Sequence, residues 1–294
     1  MPASPSALNA WILASRPKTL IAGISPVLIG LSLSASHGIL DYSLAALCLL
    51  FSLSVQIGTN LANDYFDYLN GTDTVERVGP ARAAQSGWIS LSALKNGILA
   101  AFSLAAIFSL PLLARGGFWG SSLVALSILF GILYTGGPRP LGYLGLGELL
   151  VLIFYGPVAT LGTYCVQTLT LNPLVFFASL PPGLLSCAIL IANNLRDEET
   201  DRKTGKKTLI VRYGKTFGKW EYALSIGLAA MIPLLLVLYG LAPKIWILAS
   251  LVLPAAIPAL KRAFTAKSPK ELIPLLPMTA LVLCIYTVIF ICVC

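Results

Sequence analysis

Ala62-Asn63-Asp64-Tyr65-Phe66-Asp67 closes an apolar stretch near the start of the chain, and Ala192-Asn193-Asn194-Leu195-Arg196-Asp197 closes another much later. Both read A-N-[D/N]-x-x-D. Read as helices, the apolar stretches before them are long enough to cross a hydrocarbon core of about 30 Å. The polar residues continue back into the spans, where such groups are costly and generally functional. At helical spacing Asn60, Asp64 and Asp67 share one face, as do Asn63 and Asp67, and Asp197 and Asp201 repeat the four-residue interval.

Working outward from these two ends, apolar stretches recur along the whole chain. Nine are predicted, over 17–36, 43–62, 92–114, 117–136, 142–163, 173–194, 222–241, 243–262 and 272–293. With 57% hydrophobic residues, only 11% charged and a mean hydropathy of +0.84, the 294 residues form one all-α integral membrane domain spanning 1–294. The motif recurs four spans on, which implies two four-helix pseudo-repeats, about 17–136 and 142–262, with an extra helix at 272–293. The first fifteen residues lack Lys and Arg, so no cleavable leader is expected. All of the 20 Lys and Arg except Arg115 and Lys244 lie at the N-terminus or at the ends and connections on the side reached after spans two, four, six and eight. That bias predicts a cytoplasmic N-terminus and an outer C-terminus in a cell membrane. The net charge of +8 then records orientation and attraction to anionic lipid, with no case for nucleic acid.

Six cysteines lie in apolar stretches without the spacing of a zinc site or a disulfide framework, and His37 is the only histidine. Acidic and amide oxygens at two helix ends suit Mg²⁺, which binds one or two protein carboxylates and completes its shell with water and phosphate oxygens. Arg82, Arg139, Arg202, Lys203, Lys206 and Lys207 surround these acids as candidate phosphate-facing cations. Metal-holding acids beside anion-holding bases fit diphosphate chemistry, because both stabilise charge on a departing oxygen. An apolar cavity would dissolve an isoprenoid tail and keep water from an allylic cation. Glu148, placed two turns into the fifth span, either orients an aromatic hydroxyl in the cavity or sits near the headgroups with a partner. Lys18 reads as an interface anchor or a residue reaching the site. Asp73 and Glu76 read as loop residues rather than primary ligands.

The chain resembles the UbiA superfamily of intramembrane aromatic prenyltransferases. The resemblance rests on Asn63-Asp64-Tyr65-Phe66-Asp67, Asp197-Glu198-Glu199-Thr200-Asp201 and the helix pattern. Supporting stretches are Arg16-Pro17-Lys18-Thr19-Leu20, Gly79-Pro80-Ala81-Arg82, Tyr134 to Leu141, Gly145-Leu146-Gly147-Glu148 and Gly205 to Leu209. It implies that Asn63, Asp64, Asp67, Asp197 and Asp201 hold two Mg²⁺ ions on a polyprenyl diphosphate. It also implies that Tyr134 and Arg139 lie near the diphosphate. From the sequence itself, Asn60, Lys18, Arg82, Arg196, Arg202, Lys206 and Lys207 are further candidate substrate-binding residues. The stretches are most similar to members that prenylate 1,4-dihydroxy-2-naphthoate in menaquinone synthesis, losing the ring carboxylate as CO₂ to give a demethylmenaquinol. One departure stands out: many members carry a further Asp four residues after the first motif, where this chain has Gly71, with Asp73 two residues later. A sister enzyme with another aromatic acceptor, or a secondary transporter, are the competing readings.

Overall fold

The structure, a computed structural model, describes residues 5–73 and 77–294, so Glu76 and Thr74 lie outside the described residues. The long elements are all helical: α1 Ala7–Ser15, α2 Pro17–Ser36, α3 Tyr42–Leu69, α4 Leu91–Leu133, α5 Gly147–Thr168, α6 Pro173–Lys203, α7 Lys215–Leu238, α8 Lys244–Thr265 and α9 Pro269–Val293. From α2 onward, these are the eight helices among the described residues that are long and apolar enough to cross a membrane.

The third and fourth expected spans both fall within α4 and meet at a break inside it, so eight helical stretches are counted where nine spans were expected. α4 has 43 residues, which at ~1.5 Å each would reach roughly 65 Å, about twice a bilayer core. Gly117 resolves the excess length. Its φ of 58° and ψ of −147° break the helix, and the chain doubles back without an intervening loop. A β-carbon on Gly131 would stand 3.5 Å from the Phe102 ring, although a straight helix would hold these two positions roughly 40 Å apart.

Two other elements differ from the sequence reading. The short helix α1 precedes the first span: Ala10 and Ala14 bury against a cluster containing Leu61 and Leu94, and Trp11 covers Gly97. α5 starts at Gly147, after a tight turn at Leu141–Leu144, so Glu148 belongs to its first turn and not two turns in. Within α5, Phe154–Val158 is π-helical around Pro157, which lacks an amide proton and would crowd the preceding carbonyls of a regular helix.

α6 is the central helix, with 67% of its apolar window buried against 22% for α5. Its buried residues, among them Leu185, Ile191 and Leu195, pack with Tyr222 and Ile226 of α7 and with Leu283, Tyr286 and Phe290 of α9. Small residues allow close helix approach where lipid offers no hydrophobic drive. A β-carbon on Gly30 of α2 would lie 2.4 Å from the Thr160 carbonyl of α5, and one on Gly156 would lie 3.0 Å from the Ser179 carbonyl of α6. This packing leaves a cavity of about 320 Å³ between α2, α3, α4, α5 and α6.

Candidate active site

The cavity is apolar along most of its length, with Val27, Phe51, Leu123, Val124, Phe154 and Val166 on its wall. Its other end is polar and receives the C-terminal turns of α3 and α6, which carry the two motifs. Each helix ends through a left-handed glycine that folds the following residues back over its last turn. Gly71 (φ 66°) returns the amide of Thr72 to the Asp67 carbonyl at 2.9 Å. Gly205 (φ 80°) returns the amide of Lys206 to the Asp201 carbonyl at 2.9 Å.

The second return carries Lys206 between the motifs. Its Nζ is 3.4 Å from Asp67 Oδ1 and 3.8 Å from Asp201 Oδ1, so acids more than a hundred residues apart share one ammonium. Asp67 Oδ1 also accepts hydrogen bonds from Tyr143 Oη at 2.5 Å and Thr72 Oγ1 at 3.2 Å, while Oδ2 lies 3.6 Å from Arg82. Tyr143 is held there because the Lys207 amide donates to its carbonyl at 2.8 Å and Lys206 stands 4.8 Å over its ring. Burial and the Asp67 charge both push the Tyr143 phenol upward, so it stays a hydrogen-bond donor at neutral pH. Asp197 is gripped by Arg196 at 2.7 Å through two nitrogens and by Arg77 at 3.3 Å.

Of the residues expected at the site, Asn60, Asn63, Asp67, Arg82, Tyr134, Asp197, Asp201 and Lys206 line this cavity. Asn63 Oδ1 accepts from Thr135 Oγ1 at 2.7 Å, and Asn60 Nδ2 donates to the Ser15 carbonyl at 2.9 Å. The other expected residues stand off the wall. Asp64 is turned to the loop beyond α3, where its carboxylate accepts the amides of Ala83 at 2.9 Å and Ala84 at 3.4 Å. Arg196 lies buried behind Asp197, under Gly79, where a β-carbon would come within 2.7 Å of its guanidinium. Glu148 is also one layer back: it accepts from Asn194 Nδ2 at 2.9 Å, and it is Asn194 that faces the cavity. Lys18, Arg139, Arg202, Lys203 and Lys207 are exposed, and Arg202 pairs with Glu198 at 2.5 Å.

Arg16, Arg77 and Tyr143 also line the wall, and the sequence reading had not placed them among the site residues. Arg16 precedes Pro17 in left-handed backbone (φ 53°, ψ 67°), a strained setting for a residue with a β-carbon. Its guanidinium donates to the Asn60 carbonyl at 3.4 Å, and among the described residues no carboxylate pairs with it. Burial lowers its pKa, only partly offset by Asp64, Asp67 and Asp73. Deeper in the cavity, the π-turn aims the Tyr155 hydroxyl at Gln56 Oε1, a hydrogen-bonded polar pair on the wall.

The donor set suits a hard divalent ion. Asn63, Asp67, Asp197 and Asp201 present only oxygens plus one amide nitrogen, and no cluster of three or more His, Cys, Asp or Glu forms a closed cage among the described residues. An open set of this kind leaves coordination positions for phosphate oxygens and water, as Mg²⁺ requires. Arg77, Arg82 and Lys206 now balance these carboxylates and are cations that a phosphate could recruit.

An apolar cavity among helices long enough to cross a membrane, capped by paired acids and bases, fits an intramembrane transferase of the isoprenoid-diphosphate class. The chain belongs to the UbiA prenyltransferase family, which matches residues 23–290. It is thus a multi-pass membrane protein. It is 35% identical over 276 residues to 1,4-dihydroxy-2-naphthoate octaprenyltransferase of Mycobacterium tuberculosis, covering 94% of this chain and 93% of the relative. To the Escherichia coli K12 protein of the same name it is 37% identical over 224 residues, covering 74% and 73%. A UbiA homologue from Archaeoglobus fulgidus bound to GPP and Mg²⁺ has the same fold, with a TM-score of 0.65 at 15% identity over 96% of this chain and 99% of that one.

Proposed function

We propose that this protein transfers a polyprenyl group from its diphosphate to 1,4-dihydroxy-2-naphthoate with loss of the ring carboxylate, giving the demethylmenaquinol of menaquinone synthesis. The observation that carries this reading is Lys206, whose ammonium sits within 4 Å of an acid from each motif at the mouth of an apolar cavity. The acceptor assignment follows the relatives named as dihydroxynaphthoate prenyltransferases.

In this reading Asn63, Asp67, Asp197 and Asp201 would hold Mg²⁺, as two ions, which would supply positive charge opposite the diphosphate leaving oxygen. Arg77, Arg82 and Lys206 bind the phosphate oxygens. Tyr143 and Thr72 keep Asp67 oriented through the hydrogen bonds that they donate. The apolar wall takes the tail and excludes water from the allylic carbon. Arg16 suits an acceptor carrying a carboxylate, because it is half-buried, faces the cavity and forms no ion pair with an acid among the described residues. Asp64 and Arg196 serve by fixing the loop and Asp197, and Glu148 orients Asn194. The polar end faces the cytoplasm of the inner or plasma membrane, as the Lys/Arg bias requires, and the two motif helices are equivalent members of the pseudo-repeats.

Mass spectrometry of products made by the purified protein from dihydroxynaphthoate, Mg²⁺ and mixed polyprenyl diphosphates tests the reading. A decarboxylated, prenylated naphthoquinol is the expected product; prenylation of 4-hydroxybenzoate in its place would refute the acceptor.

A further inference from the structure

Asp73 is the carboxylate that the proposed reaction leaves unused, and it stands where the chain departs from the family pattern. The left-handed turn at Gly71 brings the Asp73 amide back to the Asp67 carbonyl at 3.3 Å, so the side chain arrives beside Asp67 but behind the cavity wall. There its carboxylate is wholly covered, with 0% of the side chain exposed. Oδ1 takes Arg77 Nη1 at 2.5 Å. Oδ2 lies 3.5 Å from Arg82 Nε, and neither of those two atoms makes a hydrogen bond.

Both arginines do line the cavity, and each turns its Nη2 to a motif acid: Arg77 Nη2 to Asp197 at 3.3 Å and Arg82 Nη2 to Asp67 at 3.6 Å. Charge therefore alternates along one chain of contacts, Asp67–Arg82–Asp73–Arg77–Asp197, that joins the ends of α3 and α6. Burial pushes Asp73 up to about 6 while Arg77 holds it down, so it is ionised at neutral pH. Arg77 is desolvated yet raised overall by Asp197, Asp73 and Asp67.

The geometry points to Asp73 as a positioning residue: it fixes Arg77 and Arg82 from behind, so that their Nη2 atoms can pass from Asp197 and Asp67 to the oxygens of an incoming diphosphate. This inference rests on the diphosphate reading above. It separates Asp73 from the metal ligands. The motif acids exchange a guanidinium for metal on loading, whereas Asp73 keeps the same two arginines throughout. With its oxygens turned from the cavity, it has none to offer an ion there.

The test uses the full chain in lipid nanodiscs, with inorganic pyrophosphate as the probe and calorimetry as the readout, followed by the Mg²⁺ concentration needed for half-maximal pyrophosphate binding. Asp73→Asn should weaken pyrophosphate about 10- to 100-fold, as loss of a residue supporting a ligand does, with the Mg²⁺ half-saturation unchanged. Asp73→Glu should recover part of that loss. In an Arg77→Gln/Arg82→Gln background, Asp73→Asn should add less than about twofold, since its effect runs through the arginines. A raised Mg²⁺ half-saturation in Asp73→Asn, or a full additional loss in the arginine-free background, would overturn the assignment and leave the diphosphate reading intact. Wild-type protein with no Mg²⁺-dependent pyrophosphate binding would sink both. Should Asp73→Asn not fold, Asp73→Glu with and without the two arginines reads the same coupling.

Discussion

Asp67→Asn isolates charge from shape. The amide is isosteric, and its Oδ1 can still accept from Tyr143 Oη and Thr72 Oγ1, so the end of α3 keeps its hydrogen bonds. What disappears is one negative charge facing Lys206 at 3.4 Å and Arg82 at 3.6 Å, in a pocket where the Asp67 side chain is 4% exposed. A unit charge about 4 Å from a counter-charge at an effective dielectric near 20 is worth about 4 kcal/mol. At ~1.4 kcal/mol per decade, the loss in kcat/KM should approach a thousandfold. Folding should survive, because Arg82 retains Asp73 and Lys206 retains Asp201. The assay is transfer from radiolabelled polyprenyl diphosphate in proteoliposomes, run across a Mg²⁺ titration, with thermal unfolding of the same preparation alongside. Turnover within tenfold of wild type at an unchanged Mg²⁺ requirement would show that Asp67 neither holds metal nor shapes the charge of the site.

Asp197→Asn should behave alike, with transfer lost and membrane insertion intact, as checked by fluorescence-detected size exclusion. Chelation with EDTA should abolish turnover, and added Mg²⁺ should restore it. The unfolding temperature should move by only a few degrees, since apolar packing rather than metal builds the described bundle. Gly162→Leu adds bulk where a β-carbon meets nothing within 4 Å, on the cavity wall. The protein should fold normally but lose turnover with long donors more than with short ones, and equal loss for all lengths would argue that the tail does not pass this point. Arg16→Gln should raise the KM for a carboxylated acceptor at least tenfold while sparing the diphosphate KM; the reverse pattern in steady-state kinetics would move Arg16 to the donor side.

The acids at the ends of α3 and α6 were legible because a polar run inside an apolar span is rare enough to stand out. Which of those acids face the cavity was not. Helical spacing puts Asp64 with Asp67 on one face, yet the loop at Ala83 and Ala84 supplies backbone amides on that side and draws Asp64 away. Basic residues were the least legible. A positive-inside bias and a phosphate clamp use the same residue types, so Lys18, Arg139, Arg202 and Lys207 looked equivalent to Lys206 until the Gly205 turn singled it out. Arg16 and Arg77 escaped for the same reason, each sitting in a connection with no periodicity to give it a direction. The junction of the third and fourth spans was illegible in another way: hydropathy dips at Arg115 to Gly117 as it would at any loop, and cannot reveal that the reversal is made at one glycine.

Asp64 fastens its loop by main-chain protons and asks nothing of the side chains at positions 83 and 84. Those side chains are confined instead by their burial in a cluster with Ala10, Ala14 and Leu61, so small apolar residues fit there, while proline at 83 would strip the carboxylate of its nearest donor. The path of that loop is thus held twice, by packing and by an instruction encoded nineteen positions upstream.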